Sequence, residues 1–240
     1  MNHLAIHSGG SVMLPPRYFG SIAYYALMAA YPEATVCLGA LYDKRQKAVH
    51  RCDIADTHGP VSLTAAVGKP HGLRMARWAD VPLSGHGRWW HIHRVTLESA
   101  YGRTPFFEYY ADEILPLIPE VSSSEAGNGP ANPDTPTIAA LDRRIDEVLR
   151  PLLGIETIVS YTEEPITDQQ DKKQLNLLDN PLTAPLEAAI AAIPYYQVRA
   201  DRFGYLPNLS ALDLLFNLGP ESPLYLRRVI GEASSAHRNP

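Results

Sequence analysis

Two short apolar runs flank an aromatic-rich stretch near the start of the chain, and that order constrains the fold more than any other feature. Val12-Met13-Leu14 reads as a strand ended by Pro15-Pro16. Tyr18 to Ala30 then reads as a helix, with Ile22, Tyr25, Ala26 and Ala29 on one face. Pro32 marks its end, and Ala34 to Leu38 is a second run, almost wholly apolar as buried strands are. Strand, helix and strand in this order begin a parallel βαβ unit.

The rest of the chain extends this start. Asp43 to Arg51 is a basic, polar run carrying Lys44, Arg45, Lys47, His50 and Arg51. Thr57-His58-Gly59-Pro60 is a turn, Val61 to Val67 a half-exposed strand, and Arg77 to Leu83 another, so antiparallel strands are expected beside the parallel ones. At Trp89 the period changes. Trp89, Ile92, His93, Thr96, Leu97, Ala100 and Tyr101 fall on one helical stripe. Thr104-Pro105 is expected to cap a further helix running to Leu115. Ser122 to Pro136 has the composition of an exposed, mobile linker. Beyond it, Thr135-Pro136 is expected to open an amphipathic helix that ends at Gly154, followed by a strand at Thr157 to Tyr161. Residues 162 to 180 read as polar loop, and Leu186 to Ile193 as a short helix.

Length and charge narrow the class. The 240 residues are 45% apolar and 20% charged, which is ordinary for a globular chain, and 21 prolines imply many short elements and ordered loops. The net charge of −5 and the lack of a basic tract to offset it argue against a nucleic-acid partner. Cys37 and Cys52 are too few for a disulfide framework or a cysteine-built zinc site. No apolar run approaches the ~18 residues needed to cross a bilayer. The N-terminus lacks the regions of a signal peptide, so a cytoplasmic protein is expected.

Few residues carry chemistry on their face. His93 sits inside an apolar helical stripe, where an imidazole must find a partner or stay neutral. A hydrogen-bonded core histidine is the simpler reading, and a general acid or base the sharper one. His91 lies on a different face, and His3 and His7 have the spacing of a ligand pair without a helix to present them, so no metal is expected. The run from Lys44 to Arg51 follows an apolar strand end, the usual place for an anion site, although such runs are commonly solvated loops. No glycine pattern matches a dinucleotide or phosphate loop, and no cofactor is expected.

Asn208 to Pro220 reads as a complete short helix with its own signals. Ser210 is the N-cap, its hydroxyl expected to accept from the N–H of Asp213. Asp213 is expected to close a capping box, and Gly219-Pro220 supplies the stop. Asn208, just outside the helix, either caps a turn or aims its amide at a ligand.

Taken together, these blocks resemble the WbqC-like family. The resemblance rests on Leu14-Pro15, Tyr18-Phe19, Ile22 and Tyr24-Tyr25, then on Lys44, Gln46 and Arg51-Cys52. It continues through Trp89, His93, Ala100-Tyr101 and Pro105 to Tyr110, and closes with Tyr195-Tyr196-Gln197, Phe203 and Leu206 to Pro220. Gly20-Ser21, Val49 and His50 depart from the pattern. The resemblance implies a transferase that moves glycine or another acyl group to a polysaccharide precursor. The shared motif positions are Tyr18, Lys44, Arg51, His93, Tyr101, Asn208, Ser210 and Asp213.

The expectation is one α/β domain with a mixed, largely parallel sheet, helices on both faces and a peripheral antiparallel hairpin. It would span residues 1–240, with halves at 11–121 and 137–225, a flexible insertion at 122–136 and a tail at 226–240. In the expected enzyme, Lys44 and Arg51 hold the anionic part of an activated acyl or nucleotide-sugar substrate, with Tyr18 and Tyr101 beside it. His93 deprotonates the attacking group, and Asn208 orients the substrate or stabilises an oxyanion. Ser210 and Asp213 are structural. The competing expectation is a non-catalytic scaffold that binds partners through its tyrosine-rich helices.

Overall fold

A computed structural model describes residues 10–68, 76–121, 136–166, 169–174 and 183–236. The expectations placed on His3, His7 and the stretch from 122 to 135 lie outside these residues. β1 (Ser11–Leu14), α1 (Ile22–Ala29) and β2 (Glu33–Cys37) make the parallel strand–helix–strand start. Val12 and Leu14 of β1, with Ala34 and Val36 of β2, turn one face of the sheet into the core. Every residue from Ile22 to Met28 of α1 is buried, as expected of a helix that is apolar all round. Ser21 caps α1 by accepting from Tyr24 N at 3.3 Å. Thr157 ties off its other end, donating to the carbonyls of Met28 and Tyr31, both at 2.9 Å.

Next comes an antiparallel hairpin, β3 (Arg51–Asp56) and β4 (Gly59–Thr64), which forms its own two-stranded sheet. The expected strand from Arg77 to Leu83 is instead a 3-10 turn at Trp78–Asp80, held by an Arg77–Asp80 ion pair at 3.0 Å. Single residues of the segment touch other chain segments in strand fashion, Arg77 against Leu41, Pro82 against Thr137 and Leu83 against Val67. α2 (Trp89–Tyr101) follows most of the predicted stripe, burying Trp89, His93, Leu97, Ala100 and Tyr101, but it leaves Ile92 exposed and buries Trp90 beside the stripe. α3 (Phe107–Ile114) starts later than expected because Thr104 closes α2 rather than capping α3. Both its N–H and its hydroxyl donate to the Tyr101 carbonyl, at 2.8 and 2.7 Å.

α4 (Ile138–Leu152) turns Ile138, Leu141, Ile145 and Leu149 inward. Its cap is Thr137, accepting from Ala140 N at 3.2 Å, rather than Thr135. β5 (Ile158–Thr162) then adds beside β2, giving the all-parallel order β1-β2-β5. Within the stretch expected to be loop, α5 (Gln169–Gln174) is helical and lies against β1. α6 (Ala184–Ala192), α7 (Ala200–Phe203), α8 (Ala211–Leu218) and α9 (Ser222–Ala236) complete the chain. α9 packs on α1 and α6, so the last helix covers the first. One buried apolar cluster runs from Val12 to Ala233 through both halves of this α/β domain.

Candidate functional site

The loop after β1 decides where a site can form. Ligands of open parallel sheets bind beyond the carboxyl ends of the strands, and Pro15 to Ser21 leaves β1 at that end. Phe19 is left-handed at φ +41, and a Cβ on Gly20 would approach the Tyr24 ring to 2.7 Å. This close approach leaves no room for a side chain at Gly20 unless Tyr24 moves, and Ser21 beside it supplies the cap of α1.

The loop is stitched to the start of α8. Ile22 N donates to Leu209 O at 3.0 Å, Ala211 N to Gly20 O at 2.9 Å, and the Ser210 hydroxyl to Phe19 O at 2.8 Å. Ser210 N also donates to Asp53 O at 2.8 Å, which fixes the pair against β3. Ser210 is therefore the cap of α8, but its hydroxyl accepts from Leu212 N at 3.3 Å, while Asp213 N reaches the Ser210 carbonyl. The N-termini of two eight-residue helices are held side by side, and their dipoles both favour negative charge there.

A cavity of about 60 Å³ opens at this junction, and Arg51, Asn208 and Ser210 line it together with Arg17, Ser21 and Asp53. Asn208, left-handed at φ +53, accepts from Ala23 N through Oδ1 at 2.9 Å. Its Nδ2 makes one long contact, 3.4 Å to Glu187. Arg51 spends Nε on the Thr64 hydroxyl at 2.9 Å. The Asp53 carboxylate accepts from the Ser62 hydroxyl across the hairpin. Cys52 also borders the cavity, but burial pushes its thiol far up, so it is not a nucleophile near neutral pH.

The other predicted positions lie elsewhere. Tyr18 turns inward, its hydroxyl hydrogen-bonded to His93 Nδ1 at 2.8 Å, with Trp89 edge-on to both rings. His93 is 3% exposed, and burial holds its pKa down at about 4 although the Thr64 backbone carbonyl favours the charged form. Thr64 thus stands between His93 and Arg51, its backbone on one and its hydroxyl on the other. Lys44 is exposed and is not among the residues lining the cavity. Elsewhere in the run, exposed Arg45 pairs with Asp43 at 2.7 Å, Gln46 accepts from Trp78 Nε1 at 3.1 Å, and Lys47 is exposed like Lys44.

Tyr101 belongs to a separate buried centre. Its hydroxyl donates to Asp213 at 2.9 Å, where Tyr195 and Gln197 also donate, Gln197 at 3.0 Å. Gln197 further clamps the backbone of Leu206, both bonds at 2.9 Å. Asp213 is 1% exposed; burial pushes its pKa up and the three hydrogen bonds pull against that. The expected capping box is replaced by these partners, which come from distant segments and need the carboxylate more than the helix end does.

Besides Asp53, two further residues escaped the sequence reading. Arg17 lay between apolar neighbours, although its place directly after a strand end was a usable signal. Asp142, on α4, is 1% exposed with neither oxygen hydrogen-bonded. Burial pushes its pKa well up, while Arg17 pulls the other way. Among the described residues, no group of three or more His, Cys, Asp or Glu side chains is placed to hold a metal ion.

The small polar cavity lies beyond the carboxyl end of β1, the edge at which parallel α/β sheets commonly place their ligands. The chain belongs to the WbqC-like protein family, whose profile matches residues 15–181. The matched span includes Arg17, Arg51, His93, Tyr101 and Asp142, and ends before Asn208. No curated protein and no solved structure matches. Among the described residues, no helix is long and apolar enough to cross a membrane.

Proposed function

We propose that the chain is a group-transfer enzyme that moves an acyl or aminoacyl group, such as glycyl, from an activated donor to a surface-polysaccharide or nucleotide-sugar precursor. The observation that carries this reading is the meeting of Arg51, Asn208 and Ser210, from opposite ends of the sequence, around one cavity. Arg51 holds the anionic part of the substrate with its free guanidinium nitrogens, and exposed Lys44 steers anions toward the site. The Nδ2 of Asn208 donates to the developing oxyanion. The acceptor's hydroxyl or amine forms the new bond to the acyl carbon, and the leaving group departs with the electron pair of the broken bond. The released proton goes to the Asp53 carboxylate, which lines the same cavity. His93, behind the wall, positions Tyr18 and, through Thr64, Arg51.

A thermal-shift panel of nucleotide sugars, acyl thioesters and amino acids tests this, because a ligand of the folded state raises the melting temperature by mass action. One class should stabilise the wild type and lose its effect on Arg51→Gln. Silence across the panel counts against an enzyme. The alternative is a non-catalytic binding protein, favoured by exposed Ile92, Val95 and Tyr109 on α2 and α3. Much of the tyrosine-rich surface that it needs is inside: Tyr18, Tyr24, Tyr25 and Tyr110 are buried, leaving Tyr109 and Tyr196 at 75% and 58% exposure.

A further inference from the structure

A cation, Arg17, borders the cavity between α1 and α8. Among the described residues, Arg17 donates no hydrogen bond, and its Nε is closed off from solvent without a partner. Its guanidinium lies 5.6 Å from the centre of the Tyr24 ring. Burial pulls its pKa down to about 10, with Tyr24 and then Asp142 and Glu187 pulling it back up. It is still charged at neutral pH. Arg17 is half-buried, and a partly desolvated charge without a partner is costly to keep; Asp142 leaves both of its oxygens unpartnered rather than bonding to it. Arg17 borders the cavity that Arg51 borders from the hairpin side.

We infer that this cavity binds a single phosphate group of the substrate between Arg17 and Arg51. The inference rests on the proposed function for the location of the site and adds the chemistry of its ligand. Size supports it: at roughly 10–15 Å³ per water-sized group, a cavity of about 60 Å³ takes four to six such groups, and a phosphate has five heavy atoms. A phosphate fills that space, whereas a carboxylate leaves part of it empty. Charge supports it as well. Two guanidinium groups and the positive ends of two helices match a dianion better than a monoanion. Asp53 stands on the same wall, with its carboxylate engaged by the Ser62 hydroxyl.

Calorimetric titration at pH 8 with inorganic phosphate, and separately with acetate, tests the inference on the full chain. Wild type, Arg17→Gln, Arg51→Gln and an exposed-charge control, Arg103→Gln, are compared. Phosphate should bind wild type and Arg103→Gln alike, at least tenfold more weakly to either cavity variant, and more tightly than acetate. If Arg17→Gln does not fold, Arg51→Gln carries the same comparison from the other wall. Acetate binding as tightly as phosphate, with the same arginine dependence, overturns the phosphate assignment and leaves the anion-directed transferase standing. Failure of folded wild type to bind either anion, or phosphate binding indifferent to Arg51→Gln, overturns the site and the transferase reading with it. An equal loss in Arg103→Gln reduces the binding to surface charge and also overturns the inference.

Discussion

Helix α8 touches two buried polar clusters that differ in one respect. At its first turn, Asp213 receives Tyr101, Tyr195 and Gln197, and none of these four side chains has a buried polar atom without a partner. At its cap, Ser210 borders a cavity with Arg17, whose charge acts on Asp142; beyond it Asp142, Asp146 and Tyr25 each keep an unpartnered polar atom, although the other Asp146 oxygen accepts from Arg150 and Tyr161. Buried polar groups in native proteins are almost always paired, so a paired cluster needs no further explanation and an unpaired one does. The first is architecture. The second is the cluster to which we assign the proposed ligand.

The largest break in this contrast should come from the paired cluster. Asp213→Leu strands three buried donors and should cost about 3–5 kcal/mol in urea unfolding. A loss within 1 kcal/mol would deny the cluster its structural role. Next is His93, whose folded pKa of about 4 lies below its ordinary 6.5. A depressed histidine contributes stability above its unfolded value and loses it as pH falls toward the folded one. Wild type should therefore lose about 2 kcal/mol between pH 7 and pH 5, and His93→Gln should abolish that loss.

The unpaired cluster should respond with the opposite sign. Burial raises the Asp142 carboxyl, so the stability from its protonated form is present at low pH and declines as pH rises through its folded pKa. Asp142→Asn should then be more stable than wild type at pH 7, on the order of 1 kcal/mol, with the gain shrinking in acid. Destabilisation at pH 7 would mean that Asp142 is paired after all. The smallest effect should be at Asn208, which caps α1 from a left-handed backbone. Asn208→Ala should cost about 1 kcal/mol, and Asn208→Gly less, because glycine is at ease at that φ.

What could be read from the sequence was what neighbouring residues decide. The β1–α1–β2 start, the Trp89–Tyr101 helix and the Ser210 cap with its Gly219 stop all rest on local spacing, and all are present. β3 was missed because Arg51, Asp53 and Asp56 gave its strand a polar cast, and its pairing depends on β4 across the turn. Thr104 misled because one hydroxyl can finish a helix as readily as start one. The partners of Asp213 come from Tyr101, Tyr195 and Gln197, positions that no window around α8 contains. Arg17 was passed over for the same reason: only the folded arrangement shows that nothing pairs with it, and that Arg51 borders the same cavity.

The contrast is tested most directly by melting Tyr101→Phe and Arg51→Gln side by side, with and without saturating phosphate. Tyr101→Phe removes one donor from Asp213, so it should melt lower than wild type and keep the full phosphate-induced rise. Arg51→Gln should melt close to wild type and lose the rise. The reverse pattern, with phosphate stabilising Arg51→Gln and not Tyr101→Phe, would place the ligand at the Asp213 cluster and contradict the account.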